Sequence, residues 1–374
     1  LLGDTEARAQ DDQALVALAE SIGEDSLLAQ AYFRKGYTLG NSGKYTQERQ
    51  AYLAGLEAAL RASDRLWETM ILGLKVVCEV RLGDLPAAAR TAAEALECAQ
   101  QLGDEQVTAR TLTNVAVFYT EAGDLARSAQ LLQQQLDINR RTGNLEGEVA
   151  GLTNLGYTYI LLGRPQEAVP VLRRGIELAQ AIGHRTFYAY SCLNLALAVM
   201  RAGDPLSALE ELERCIPELK VMDDAFGCAI SLEYAALARE QAGQTAQALA
   251  SFEQAAAALA AIGAAGNMHD AQAGAARCHL ALKNLEKAQE FALPLWDFLQ
   301  QKSGAGMEFP MLGYETCVEF FSASGQAALA RQAVESSCRE LMARAARISL
   351  PEWRQSFLEQ VPEHRRLQER CKES

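Results

Sequence analysis

The stretch "TNLGYTYILLGRP", residues 153–165, decides the fold. It is mostly apolar and small, runs up to Gly163, and carries one residue out of character, Asn154. Asparagine is a poor helix former and a poor core residue. It nevertheless returns on either side at a constant step of forty, at Asn114 in "TNVAVFYTEAGDL" and at Asn194 in "LNLALAVMRAGDP".

The glycines that close these stretches keep the same step. Gly3, Gly43, Gly83, Gly123, Gly163, Gly203 and Gly243 follow one another without insertion or deletion; the next step falls on Lys283, and a related turn returns at Gly325. A second column is offset by half a period: Gly23, Ser63, Gly103, Gly143, Gly183, Asp223, Gly263 and Ser303. Two turn columns half a period apart predict two helices per repeat. A glycine just past a helix accepts the left-handed conformation. The residues that follow suit a helix start, as in Asp84 with Pro86, Arg164 with Pro165 and Asp204 with Pro205, because aspartate caps and proline fits the first turn. Ala, Leu, Gln and Glu dominate and no stretch reads as strand.

Small residues form columns of their own. Seven positions before the turns stand Gly36, Val76, Ala116, Gly156, Ala196, Ala236 and Ala276; five after stand Ala88, Ser128, Ala168, Ala208, Ala248 and Ala288, with Glu48 the exception. Small side chains there let paired helices approach closely. The set Leu152, Leu155, Gly156, Tyr159, Ala168 and Leu172 resembles the tetratricopeptide repeat (TPR) pattern. The resemblance implies an all-α, TPR-like α-solenoid, a right-handed superhelix of antiparallel helix pairs. The repeat exceeds the usual length of about 34 residues, as in the long-repeat versions of Pins-type polarity scaffolds and bacterial signalling regulators.

The period sets the expected organisation. Residues 1–22 are helix B of a truncated first repeat, 23–303 seven repeats of the forty-position period, 304–346 a divergent last helix pair, and 347–374 a charged C-terminal cap or tail. The start within a repeat, without Met, predicts an upstream domain on the same polypeptide. The ending "LPEWRQSFLEQVPEHRRLQERCKES" resembles the close of TPR sensor regions in large bacterial ATPases and cyclases.

Composition excludes several functions. A net charge of −13 argues against a nucleic-acid partner, since phosphate contacts need a basic surface. The nine cysteines form no CxxC pair, which predicts reduced thiols and a cytoplasmic location. No apolar run reaches membrane-spanning length. "GNSGKY" at 40–45 lacks the phosphate-loop residues, with Thr38 and Tyr45 in the required Gly and Ser/Thr places, and reads as an inter-helix turn. His269, Asp270, Cys278 and His279 are the nearest thing to a ligand cluster, but positions ten apart on a helix diverge. No metal, no cofactor and no enzymatic activity are expected.

That leaves the concave face, which the resemblance assigns to the first helix of each pair. Groove-facing positions lie thirteen, ten, nine, six, three and two places before each turn. They hold Arg34, Tyr37, Arg81, Arg110, Asn114, Thr153, Asn154, Tyr157, Tyr190, Asn194, Arg201 and Tyr234. An amide both donates and accepts, so Asn114, Asn154 and Asn194 suit an extended peptide backbone; they equally suit structural bridges between helices. Arginines fall in the N-terminal and central repeats, with Glu233, Glu240 and Asp270 toward the C-terminus, so a bound segment would meet a polarised surface. The two-armed carboxylate clamp of chaperone-tail binders is not predicted: Arg110-x3-Asn114 and Asn154 are followed by Tyr190-x3-Asn194, without the second basic arm. The expected function is a non-enzymatic protein- or peptide-binding module, the sensor or regulatory domain of a larger signalling protein. The alternative is a freestanding scaffold that recruits extended peptides.

Overall fold

The structure, a computed structural model, describes residues 5–373; Gly3, the first member of the turn column, lies outside the described residues. Helix α1 (Thr5–Ile22) is followed by paired helices. The first pairs are α2 (Asp25–Asn41) with α3 (Tyr45–Ala62), α4 (Arg65–Arg81) with α5 (Leu85–Leu102), and α6 (Glu105–Ala122) with α7 (Leu125–Thr142). Next come α8 (Leu145–Leu161) with α9 (Pro165–Ala181), α10 (Arg185–Arg201) with α11 (Pro205–Val221), and α12 (Ala225–Gln241) with α13 (Thr245–Ala261). The series closes with α14 (Ala265–Ala281) and α15 (Leu285–Lys302), then α16 (Pro310–Ala323) and α17 (Ala327–Arg347). Two shorter helices end the chain, α18 (Pro351–Glu359) and α19 (Pro362–Glu373). Among the described residues there is no strand.

The turns explain the regular lengths. Each column glycine from Gly23 to Gly263 has positive φ, between 69° and 101°. Where the column lacks glycine the backbone still turns left-handed, at Ser63 (φ 53°), Asp223 (54°), Lys283 (59°) and Ser303 (50°). At most turns the next residue then caps the following helix; Glu24, Lys44, Arg164, Gln244 and Ala264 make no side-chain cap. The side chains of Asp64, Asp84, Asp104, Asp124, Asp204, Asp224 and Asn284 each accept a hydrogen bond from a backbone N–H in the first turn. Such a cap contributes about 1 kcal/mol.

The chain divides into two compact units, Leu1–Gly151 and Leu152–Ser374. In the first, the core gathers Ala29, Tyr52, Ala58, Ala59, Ile71 and Cys78. The Tyr52 ring fills the space over Gly36, where a Cβ would stand 2.3 Å from it. The second unit repeats the device at the equivalent positions: Leu172 lies over Gly156, 2.4 Å from where a Cβ would be. These glycines are there for close approach of the paired helices.

One expectation is corrected. The thiols are not all reduced: Cys338 and Cys371 form a disulfide, with Cα atoms 5.9 Å apart. They are 33 residues apart in sequence and meet because α19 turns back onto α17. The other seven cysteines are free, and all but Cys228 are buried. Among the described residues no helix is long and apolar enough to cross a membrane.

A left-handed non-glycine residue costs about 1–2 kcal/mol, partly offset by the extra chain entropy that glycine loses on folding. Lys283→Gly, at an exposed position with φ 59°, should therefore stabilise the protein by about 0.5–1 kcal/mol. Urea unfolding with an unchanged slope and a raised midpoint is the expected result; a lowered midpoint would contradict the turn assignment.

Candidate functional site

The first helices of successive pairs in the second unit, α10, α12, α14 and α16, stand side by side. Their groove-facing positions converge on a pocket of about 330 Å³. Met200 and Arg201 line it from three and two places before Gly203. Leu237, Glu240 and Gln241 come from six, three and two before Gly243, and Arg277 from six before Lys283. Leu312, Glu315 and Glu319 come from thirteen, ten and six before Gly325. The remaining lining residues are Pro362, Glu363 and Arg366, all on α19.

The C-terminal helices thus lie against the face assigned to a partner. Arg201 donates from Nη1 and Nη2 to the two carboxylate oxygens of Glu363, at 2.7 and 2.9 Å. Arg366 pairs in the same two-pronged way with Glu315, at 2.5 and 2.7 Å. Trp353 meets Tyr159 edge to face at 6.1 Å, with the Arg164 guanidinium 4.8 Å over its ring. Gly163 is covered as well: Ser356 donates its hydroxyl to the Gly163 carbonyl. A Cβ on Gly163 would stand 3.0 Å from the Ser356 carbonyl oxygen and from Val361. At Gly143, Gly183 and Gly203 a Cβ would meet nothing within 4 Å.

Glu363 and His364 are both buried. Burial alone would raise the Glu363 pKa, but Arg201 and His364 beside it hold it down to about 2. Burial pushes the His364 imidazole down to about 4, against the pull of Glu363. Its Nδ1 lies 2.8 Å from the Phe357 carbonyl oxygen.

The other candidate residues of the second unit differ in their engagement. Asn154 is half-buried, and among the described residues its amide has no hydrogen-bond partner. Asn194 donates to the Thr153 carbonyl at 3.4 Å, a weak bridge from α10 to α8. The buried Thr153 hydroxyl meets Ser191 at 2.7 Å, and Tyr157 is half-buried. Tyr190 donates to Asp224, the residue that caps α12, at 2.8 Å. Tyr234 is buried and donates to Glu308 at 2.6 Å. Arg201 also lies 4.9 Å over the Phe309 ring.

The acidic positions are largely interior. Asp270 accepts from the backbone N–H groups of Glu308 and Phe309, at 2.6 and 3.1 Å, and so holds the approach to α16. Glu233 is buried with neither carboxylate oxygen hydrogen-bonded. Burial, with Asp270 and Glu308 nearby, raises its pKa well above the usual carboxylate range, which favours the neutral acid. Glu240 pairs with Arg277 at 2.7 and 2.8 Å. His269 packs on Phe298 and His279 on Phe291, and among the described residues no group of three His, Cys, Asp or Glu could hold a metal.

In the first unit Tyr37 and Arg110 are exposed. Arg34 stands 3.6 Å from Asp12. Arg81 lies 3.9 Å from Glu48 and 5.5 Å over the Tyr45 ring. Asn114 is half-buried, with its amide nitrogen 3.2 Å from where a Cβ on Gly73 would be. It packs onto α4 through that glycine.

Sequence profiles of the tetratricopeptide repeat match residues 107–181 and 29–60. Those segments are tetratricopeptide repeats, and the helix pairs of each unit have the all-α, TPR-like solenoid fold. No curated protein sequence matches it. The fold is similar to that of a Rap protein in complex with Competence and Sporulation Factor, over 93% of this chain and 99% of that one, with a TM-score of 0.64 and 11% identity. It is also similar to a signal transduction ATPase with numerous domains that carries a tetratricopeptide repeat sensor, from Pyrococcus horikoshii. That match covers 96% of this chain with a TM-score of 0.54 and 17% identity, but only 55% of the ATPase, so the chain spans about half its length. A tetratricopeptide repeat protein from Parabacteroides merdae matches 78% of the chain at a TM-score of 0.51 and 16% identity. At these identities the likeness is one of fold.

Acid should loosen α18 and α19. The depressed His364 pKa removes stability as pH falls from 6.5 toward about 4, because the unfolded state takes up a proton that the folded state does not. The depressed Glu363 pKa removes more between 4.5 and about 2. Hydrogen-exchange protection of α18 and α19 should fall over that range before that of α12 and α13 does. Arg201→Gln should lower their protection already at neutral pH; protection that ignores both pH and Arg201 would contradict the assignment.

Proposed function

We propose that this chain is a non-enzymatic partner-binding module that takes a protein or peptide segment on the face made by the first helices of its pairs. The observation that carries the reading is the pocket of the second unit. Its lining comes from groove-facing positions on four successive repeats, with Arg201, Arg277 and three carboxylates on one surface. The half-buried Asn154 and Asn194 lie farther back on the same kind of helix, nine places before their turns. There their amides offer a donor and an acceptor to a main chain.

The role proposed is that of a sensor or regulatory domain within a larger cytoplasmic signalling protein. The similarity to a tetratricopeptide repeat sensor of a multidomain ATPase supports it, and so does the similarity to a Rap protein bound to a factor. In a reducing cytoplasm the tail would be held without its disulfide, by its ion pairs, ring contacts and buried apolar side chains. The second reading is a freestanding peptide-recruiting scaffold, and the similarity to a Rap protein in complex with a factor supports binding under either reading.

Panning a random peptide library against the immobilised chain tests the reading. Enriched peptides should bind about tenfold more weakly, about 1.4 kcal/mol, when Asn154 and Asn194 are both changed to Ala. The circular dichroism and melting temperature should stay close to those of the parent. A collapse in melting would make the amides structural bridges. No enrichment, or enrichment that ignores the two positions, would contradict the binding role assigned to them.

A further inference from the structure

The tail helices meet the repeats through charges and rings as well as the buried Phe357, Val361 and Leu367. On α18 only Phe357 is buried. On α19 the buried side chains are Glu363, His364 and Leu367. The contacts form a pattern along the sequence: Trp353 in the slot of Tyr159 and Arg164, Glu363 ten places later on Arg201, and Arg366 three further on Glu315. The pocket beside Glu363 stays open, so α19 does not fill the face it covers. At its far end α19 is tied to α17 by the Cys338–Cys371 disulfide.

We propose that this face is a docking surface for a helical partner segment built like the tail, with an aromatic residue followed ten positions on by a carboxylate and thirteen on by a guanidinium. The chain's own α18 and α19 occupy the surface until such a segment displaces them. The proposal rests on the partner-binding reading above and adds the chemistry of the partner and the element that guards the site. Charge complementarity carries it. Arg201 is buried enough to need a carboxylate, with its side chain 16% exposed, and Glu315 at 2% needs a cation; a replacement must bring both charges in the same order. Pairs of this kind set register and partner choice more than raw affinity, which is what an exchangeable occupant needs.

The test uses the full chain and a fluorescent peptide of residues 350–372 carrying Cys371→Ser. Wild-type chain should bind it weakly. Full-length chain with Glu363→Gln and Cys371→Ser, which loosens the tail, should bind at least tenfold more tightly. Adding Arg201→Gln should abolish that gain, and a peptide carrying Glu363→Gln should lose it too. The swap Arg201→Glu with Glu363→Arg keeps the pair and should exclude the peptide as wild type does; its circular dichroism controls for folding. Equal affinity for wild type and the loosened chain, or binding that ignores Arg201, would overturn the proposal. So would a tail-exchanged dimer that the peptide cannot dissociate, which would make a second copy the occupant. If the tail peptide requires Arg201 while library peptides ignore Asn154 and Asn194, this proposal stands and the amide reading fails. The opposite pattern fails this proposal alone.

Discussion

The repeats follow from one backbone constraint, a left-handed residue at every half-period from Gly23 to Ser303, with a side-chain helix cap straight after most of them. The turn ends one helix and the next begins two residues on, so the helices from α2 to α15 all have nearly the same length. Equal helices keep equivalent positions in register from repeat to repeat. The constraint is strong enough to hold Ser63, Asp223, Lys283 and Ser303 in a conformation that glycine would adopt more easily. Packing then needs only a small residue opposite a large one, as with Gly36 under Tyr52 and Gly156 under Leu172.

Register is also what makes a surface. Because α10, α12, α14 and α16 end in step, residues counted back from their turns fall on one face, and the face carries mixed charge. Mixed charge half-removed from water needs partners. Here Glu363 and Arg366 of α19 supply them. Breaking a buried pair by deleting one partner costs about 3–5 kcal/mol, while the intact pair gains little over well-packed apolar groups. Deleting either side of the Arg201–Glu363 or Glu315–Arg366 pair therefore loosens the tail more than the intact pairs stabilise it.

The periodic part of this structure was legible in the sequence, because each turn and each small residue is a local requirement repeated many times. The offsets that put Arg201 in line with the other residues of the pocket are of that kind. What was not legible is the return of the tail: Arg201 and Glu363 are 162 residues apart, and a contact made once leaves no period. The disulfide was missed for the same reason, since nothing in the spacing of Cys338 and Cys371 marks them as a pair. Tyr190 and Asp270 teach a narrower lesson. Their offsets are those of the groove, yet Tyr190 bonds to the cap of α12 and Asp270 holds two amides ahead of α16. Position along a repeat gives the face; the neighbouring repeat decides whether a side chain on it is free.

The most direct measurement is a double-mutant cycle on Arg201 and Glu363, with Arg201→Ala, Glu363→Ala and the combination, each unfolded in urea. If the pair holds the tail to α10, the second substitution costs little once the first is made, and the coupling exceeds about 1 kcal/mol. Effects that add to within about 0.5 kcal/mol, as for independent sites, would show that the two do not meet and would contradict the account.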